Sequence, residues 1–275
     1  MMEHREIAPG VEVPLLGLGT WGVGGRQVED HRWDTEQVAA IRMAIELGLT
    51  HIDTAEYYGA GHAEELVGEA AEPYERSSLF ITTKVWKNHL RGGDLANSMR
   101  GSLRRLGMDY VDLYLVHWPN PDIPLSETMA ALEHCAEEGL TKFIGVSNFS
   151  WDLMVEAQGH LRDHRLVANQ VEYSLTDQKP RESLLPYMRR AGSTLVAYSP
   201  LGRGTLARPG NRTLDEMAER YHKTQTQVAL NWLIGQENVV TIPKASNPLH
   251  LLDIVGAVGW RLGLDDALTL ADAFV

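Results

Sequence analysis

Short runs of aliphatic and β-branched residues recur along the chain, separated by stretches whose apolar positions return every three or four residues. The short runs predict strands at 15–19, 51–54, 79–85, 111–117, 142–147, 167–172, 194–198 and 239–243. Several are apolar at consecutive positions, as parallel strands covered on both faces must be. The periodic stretches predict helices over 35–47, 63–71, 95–106, 126–138, 151–161, 182–191 and 214–234. Gly48, Gly107, Gly139 and Gly192 mark helix ends. Eight strands with helices between them favour an α/β (β/α)8 TIM barrel over an open doubly wound sheet. Ahead of it, EIAPGVEVP turns around Pro9-Gly10 and reads as a short N-terminal β-hairpin capping the N-terminal end of the barrel. The tail, WRLGLDDALTLADAFV, reads as one more short helix. No linker or compositional break divides residues 1–275, so a single domain is expected.

Bulk properties narrow the function. A chain of 275 residues, 44% hydrophobic, fits one barrel of about 250 residues. The formal charge of −12, from 25 Lys and Arg against 37 Asp and Glu, is spread along the sequence. That balance argues against nucleic acid or an anionic membrane as partner, yet leaves room for a basic pocket holding an anionic cofactor. The one cysteine, Cys135, lies in the helical stretch ALEHCAEEGL; it can form no intrachain disulfide and is expected to be apolar filling. MMEHREIAPGVEVP has no apolar signal core, and no run approaches the roughly 18 apolar residues of a membrane span. A soluble, cytoplasmic protein is expected, with a monomer favoured.

The chemistry gathers at strand ends. Asp53, Tyr58, Lys84 and His117 each stand at or just beyond the C-terminal end of an apolar run, within HIDTAEYYG, LFITTKVW and VDLYLVHWP. In a parallel barrel those ends converge on one face, where catalytic groups collect. Asp53 and Lys84 fall on adjacent predicted strands, which makes an Asp–Lys pair natural. A tyrosine beside a lysine suggests a phenol of lowered pKa that can pass a proton near neutrality, and this combination points to carbonyl reduction. A fall of about two to three units from the ordinary tyrosine value would be worth roughly 3–4 kcal/mol. Tyr57 reads as a rim aromatic, and Glu64 and Glu65 as first-turn acids matched to a helix macrodipole.

Other readings fit less well. GLGTWG at residues 17–22 matches G-x-G-x-x-G, but no apolar helical period follows before about Thr35, as a dinucleotide fingerprint requires. A Gly-rich loop after the first strand, letting backbone approach a ligand, fits better. His160 and His164 have i,i+4 spacing without a third ligand nearby, so no metal is expected. Neither H-E-x-x-H nor G-x-S-x-G occurs.

With these residues in place, the sequence resembles the aldo-keto reductase family over almost its full length. The matching blocks, in the family's order, are GLGTWG, HIDTAEYYGAGHAEELVG, ITTKVW, DLYLVHWP, FIGVSNF, NQVEYS, VAYSPLGRG and IPKASNP. The resemblance implies the same barrel and NADPH-dependent reduction of aldehydes and ketones to alcohols. It makes Asp53, Tyr58, Lys84 and His117 a catalytic tetrad. In it Tyr58 is the general acid, Lys84 stabilises the phenolate, Asp53 orients Lys84, and His117 orients the carbonyl.

The resemblance also implies cofactor contacts. Gly19, Thr20 and Trp21 are expected beside the cofactor, with Asp53. Ser147 and Asn148, joined by Gln170, resemble the group that binds the nicotinamide carboxamide. Tyr198 resembles the aromatic stacked on the nicotinamide, Ser199 and Leu201 to Gly204 a loop along the pyrophosphate, and Lys244 with Ser246 the holder of the 2′-phosphate. Many family members carry Arg six residues after this lysine and Asn ten after it, where this chain has His250 and Ile254. A neutral imidazole grips phosphate less firmly than a guanidinium, so NADP(H) is favoured with NAD(H) as the alternative. Trp21, Trp86, Trp118 and Phe149 are expected to line an apolar pocket around the carbonyl, beside His117. The short loop after His117 and the short tail predict an open site for small aldehydes, ketones or diketones. A cofactor-binding regulatory subunit on the same barrel is the alternative, and the intact tetrad weighs against it.

Overall fold

A computed structural model describes residues 2–274. The chain opens on an antiparallel hairpin, β1 (His4–Ala8) and β2 (Val11–Pro14). The Arg5 guanidinium donates to the backbone carbonyls of Ile234, Gln236 and Val239, which seats the hairpin against the N-terminal end of the last barrel strand.

Eight parallel strands follow: β3 (Leu18–Gly19), β4 (His51–Asp53), β5 (Phe80–Val85), β6 (Val111–Val116), β7 (Thr141–Ser147), β8 (Leu166–Glu172), β9 (Thr194–Tyr198) and β10 (Val239–Thr241). They pair in sequence order from β3 to β10. The ring closes through a parallel bridge between Leu16 and Thr241, where Gly17 N donates to Thr241 O at 2.8 Å and Thr241 N to Leu15 O at 3.0 Å. The expected barrel is formed. No described helix is long and apolar enough to cross a membrane.

Two glycines of GLGTWG sit tight in the barrel wall, Gly17 against β4 and Gly19 at the closing seam. A Cβ on Gly17 would lie 2.7 Å from His51 O, and one on Gly19 would lie 2.7 Å from Ile242 O. Neighbouring backbone therefore demands glycine at both positions. The motif opens no helix: α1 (Asp34–Glu46) begins only after a loop and a short 3-10 turn.

The remaining helices are α2 (His62–Ala71), α3 (Gly92–Leu106), α4 (Leu125–Glu137), α5 (Trp151–Gly159), α6 (Leu184–Ala191), α7 (Arg212–Tyr221), α8 (Gln225–Ile234), α9 (Pro248–Val255) and α10 (Leu264–Asp272). The single helix expected over 214–234 is two. His222 leaves α7 in the left-handed region at φ 53°, and Thr224 starts α8 with a capping box, its side chain and that of Gln227 bonding each other's backbone N–H. Helix α9 was not anticipated; Asn247 caps it and Pro248 fills its first turn.

Glu64 also departs from expectation. It faces inward from the first turn of α2, fully buried, where it accepts from Arg105 Nε at 2.7 Å and from Thr83 Oγ1. It thus ties α2 to α3 and β5. Burial pushes its pKa up, against the pull of Arg105 and Thr83. Removing one partner of such a pair strands the other charge. Arg105→Met should therefore cost about 3–5 kcal/mol in urea unfolding, and adding Glu64→Leu should recover most of it. Equal stability of Arg105→Met and the parent would refute this role.

Candidate active site

Register brings the first three groups together. Asp53 on β4 is the partner of Thr82 on β5, and Lys84 lies two residues further along, so Asp53 and Lys84 point to the same side of the sheet. Lys84 is fully buried, and its ammonium spends all three hydrogens: on Asp53 Oδ1 at 2.7 Å, Thr54 O at 2.8 Å and Tyr58 Oη at 3.1 Å. Burial opposes the Lys84 charge, but Asp53 and Tyr58 outweigh it and hold the pKa above the ordinary lysine value. Because Lys84 donates to the Tyr58 oxygen, the phenolic hydrogen must point elsewhere.

The pKa of Tyr58 moves opposite to the sequence expectation. Burial raises it, and Lys84 only partly offsets this while the Asp53 carboxylate pushes the same way as burial. The physical reason is that Lys84 is already matched by Asp53, so little net positive field remains to favour a phenolate. Tyr58 is therefore a protonated phenol at neutral pH.

His117 follows β6, with its ring 5.5 Å from that of Tyr58 and nearly perpendicular to it. Burial, with Lys84 adding to it, pushes its pKa well below the ordinary histidine value, so the ring is neutral. Its buried Nδ1 has no hydrogen-bond partner among the described residues, which suits a tautomer carrying the hydrogen on Nε2.

A chain of hydrogen bonds extends from this group across β7, β8 and β9. Gln170 Nε2 donates to Asp53 Oδ2 at 2.7 Å, and Ser147 Oγ to Gln170 O at 2.8 Å. Asn148 Nδ2 donates to His117 O and to Ser147 Oγ, both at 3.0 Å, while its Oδ1 accepts from Tyr198 Oη at 2.8 Å. Asn148 and Ser199 hold left-handed backbone at φ 63° and 50°, a strained state for a serine. Asp53, Tyr58, Lys84, His117, Ser147, Asn148, Gln170 and Tyr198 are thus one connected network.

Other expected contacts are arranged less tightly. Gly19 lies in the barrel seam, and Thr20 is buried with its Oγ1 and N–H both on Asp53 O. Ser199, Leu201 and Gly204 lie on the half-buried loop after β9. Lys244 is exposed beyond β10, where its ammonium donates to Ser246 Oγ at 3.1 Å and makes no ion pair among the described residues. A cation and a hydroxyl without a counter-charge fit a phosphate; His250 stands exposed nearby on α9. Asp253 is turned away to accept from Thr224 Oγ1 at 2.7 Å.

The aromatic lining differs from expectation. Trp86 stacks on Tyr57 at 3.8 Å, Trp21 meets Tyr58 edge-on at 5.0 Å, and Trp86 meets His117 at 5.3 Å. Trp118 is 41% exposed and joins none of these ring contacts. Phe149 is 2% exposed and packs within the main core, because it follows Asn148 back into the barrel wall. Sequence reasoning gave Tyr57 too small a role and passed over Glu56, whose Oε1 accepts from Trp86 N at 2.6 Å and fixes that ring's backbone. The signal for Glu56 was a carboxylate in the same strand-end loop as Asp53 and Tyr58.

Comparison with known proteins places this geometry in a family. The sequence profile of the aldo/keto reductase family matches residues 15–270. Methylglyoxal reductase YeaE of Escherichia coli strain K12 is 38% identical over 244 residues, covering 88% of this chain and 84% of that protein. The solved structure of a thermostable aldo-keto reductase, Tm1743, with the inhibitor epalrestat superposes with a TM-score of 0.95 at 46% identity, covering 99% of this chain and 100% of that one. An aldo/keto reductase of Klebsiella pneumoniae, solved with NADP and acetate, gives a TM-score of 0.90 at 34% identity, over 100% and 96% of the two chains. The chain belongs to the aldo/keto reductase family.

Proposed function

We propose that the protein is an NADPH-dependent reductase of small aldehydes and ketones, working as a single-domain cytoplasmic monomer with Asp53, Tyr58, Lys84 and His117 as its catalytic tetrad. The observation that carries this reading is the Lys84 ammonium bonded at once to Asp53 and Tyr58, beside a neutral His117. The name of the E. coli relative supports a carbonyl substrate, and the NADP in the Klebsiella structure supports the cofactor.

When bound, the reduced nicotinamide supplies a hydride to the carbonyl carbon. Tyr58 gives its free phenolic hydrogen to the carbonyl oxygen as negative charge develops there. Lys84, already donating to the Tyr58 oxygen, stabilises the phenolate left behind, and Asp53 keeps Lys84 charged and aimed. His117 Nε2 donates a hydrogen bond to the same carbonyl oxygen and orients it. Ser147, Asn148 and Gln170 would hold the carboxamide and Tyr198 the ring face. Lys244 and Ser246 would hold the 2′-phosphate. Trp21, Tyr57 and Trp86 give the apolar walls, which suit small carbonyl compounds.

Purified protein should oxidise NADPH with a panel of small aldehydes. Tyr58→Phe should lower kcat about 10²–10⁴-fold with cofactor affinity nearly unchanged. Tight NADPH binding without turnover on any carbonyl would instead favour the regulatory subunit. The pH profile tests the direction of the Tyr58 shift. An acid with raised pKa stays protonated, so kcat for reduction should hold from about pH 6 to pH 9 and fall only above about pH 10. The acid limb should lie below about pH 6, because the His117 pKa is lowered. A break near pH 7–8 would mean that Lys84 overrides burial. Lys244→Ala should raise KM for NADPH more than for NADH, and equal effects would remove the phosphate assignment.

A further inference from the structure

One cluster of side chains has no part in the chemistry above. His31, Asp34 and His62 each offer one donor atom, and these atoms lie within 4.8 Å of one another. Asp34 is the centre: Oδ2 lies 3.1 Å from His31 Nδ1, and Oδ1 lies 3.0 Å from His62 Nε2. The two imidazole rings are 4.1 Å apart. Each remaining ring nitrogen meets another carboxylate, His62 Nδ1 on Glu65 at 2.8 Å and His31 Nε2 on Glu29 at 3.4 Å. A histidine that ligates a cation almost always gives its other nitrogen to a carboxylate, carbonyl or water, which fixes ring orientation and raises ligand basicity. Both histidines have that arrangement.

We propose that His31, Asp34 and His62 form a binding site for a divalent transition-metal ion of the zinc class. Two imidazoles and one carboxylate suit zinc, cobalt or nickel, whereas magnesium and calcium take mainly oxygen ligands. Two of the ligands are held in place: His62, only 6% exposed, begins α2, and Asp34 begins α1. His31 stands on the preceding 3-10 turn with its side chain 61% exposed. Ligand bonds of about 2.0–2.2 Å require donor atoms closer together than the present outer limit, and a small swing of this exposed ring supplies the approach. The i,i+4 histidines His160 and His164 form no such group and lie against Glu156 and Glu133 instead.

The location gives the site a consequence. The loop after Trp21 packs on the segment before α2, where Gly59 N donates to Arg26 O at 2.9 Å, and is closed on itself by Asp30 N donating to Gly24 O at 2.9 Å. An ion bound by all three ligands would clamp the loop following Trp21 to the helix that starts four residues after Tyr58.

The test is titration of chelator-stripped, full-length protein with Zn²⁺ by calorimetry, with Mg²⁺ as control. One saturable Zn²⁺ site is expected, with no heat from Mg²⁺. His31→Ala, which removes an exposed side chain, should weaken that site by more than about 10-fold, the least that losing even a ligand's supporting group costs. Zn²⁺ should raise the Tm of the parent protein more than that of His31→Ala at the same concentration. No saturable Zn²⁺ binding, or equal affinity in the parent and His31→Ala, would overturn the proposal and leave the cluster as an ion-pair network. Neither result bears on carbonyl reduction.

Discussion

A lysine ammonium sits fully buried at the mouth of the barrel, and the surrounding structure is organised to make that tolerable. An unpaired charge in such a place costs several kcal/mol even after relaxation. Lys84 avoids this cost only because Asp53, Thr54 and Tyr58 take one hydrogen each. Asp53 in turn would be a buried anion with an idle oxygen, and Gln170 from the far side of the barrel fills it. The strand register that sets Asp53 level with Thr82 is therefore a condition of electrical neutrality as well as of packing. A one-residue slip would turn one partner to the opposite face and leave both charges buried alone.

From that centre the polar network spreads outward without breaking. Gln170 is fixed through Ser147, Ser147 through Asn148, and Asn148 through both the His117 carbonyl and the Tyr198 hydroxyl. The groups proposed to handle the proton and those proposed to hold the cofactor thus share one set of hydrogen bonds. The left-handed backbone at Asn148 and Ser199 belongs to the same design, since it turns the chain at the strand ends where the network surfaces. Strain of this kind persists only where the surroundings over-determine it.

The barrel was legible because its strands are short apolar runs with abrupt polar ends, and the four tetrad residues were legible because they are those ends. What stayed hidden depended on contacts that periodicity does not encode. Met217, Tyr221 and Val228 continue one apolar stripe, so α7 and α8 looked like one helix, although Thr224 and Gln227 spell a capping box inside it. Glu64 looked like a surface acid until Arg105, 41 residues away, was seen against it. Phe149 sat at a strand end like Trp21 and Trp86, but its ring turned into the core. The Tyr58 shift was misjudged for a similar reason. Lys84 was evident as a neighbour, but the depth of burial and the share of its field already taken by Asp53 were not.

Closure of the ring by Leu16 against Thr241 joins the first barrel strand to the last. Each β-strand pair inside the ring can form from neighbouring sequence, but this seam must wait until the ribosome has released more than two hundred further residues. Until then the growing sheet has two bare edges, each with unpaired backbone groups open to association with other chains. Gly19, which lets the edges meet without a side chain pressed on Ile242 O, therefore acts late in biogenesis. A methyl group there would prolong the open-edged stage and raise the risk of aggregation during synthesis, before any finished enzyme exists to be inactivated.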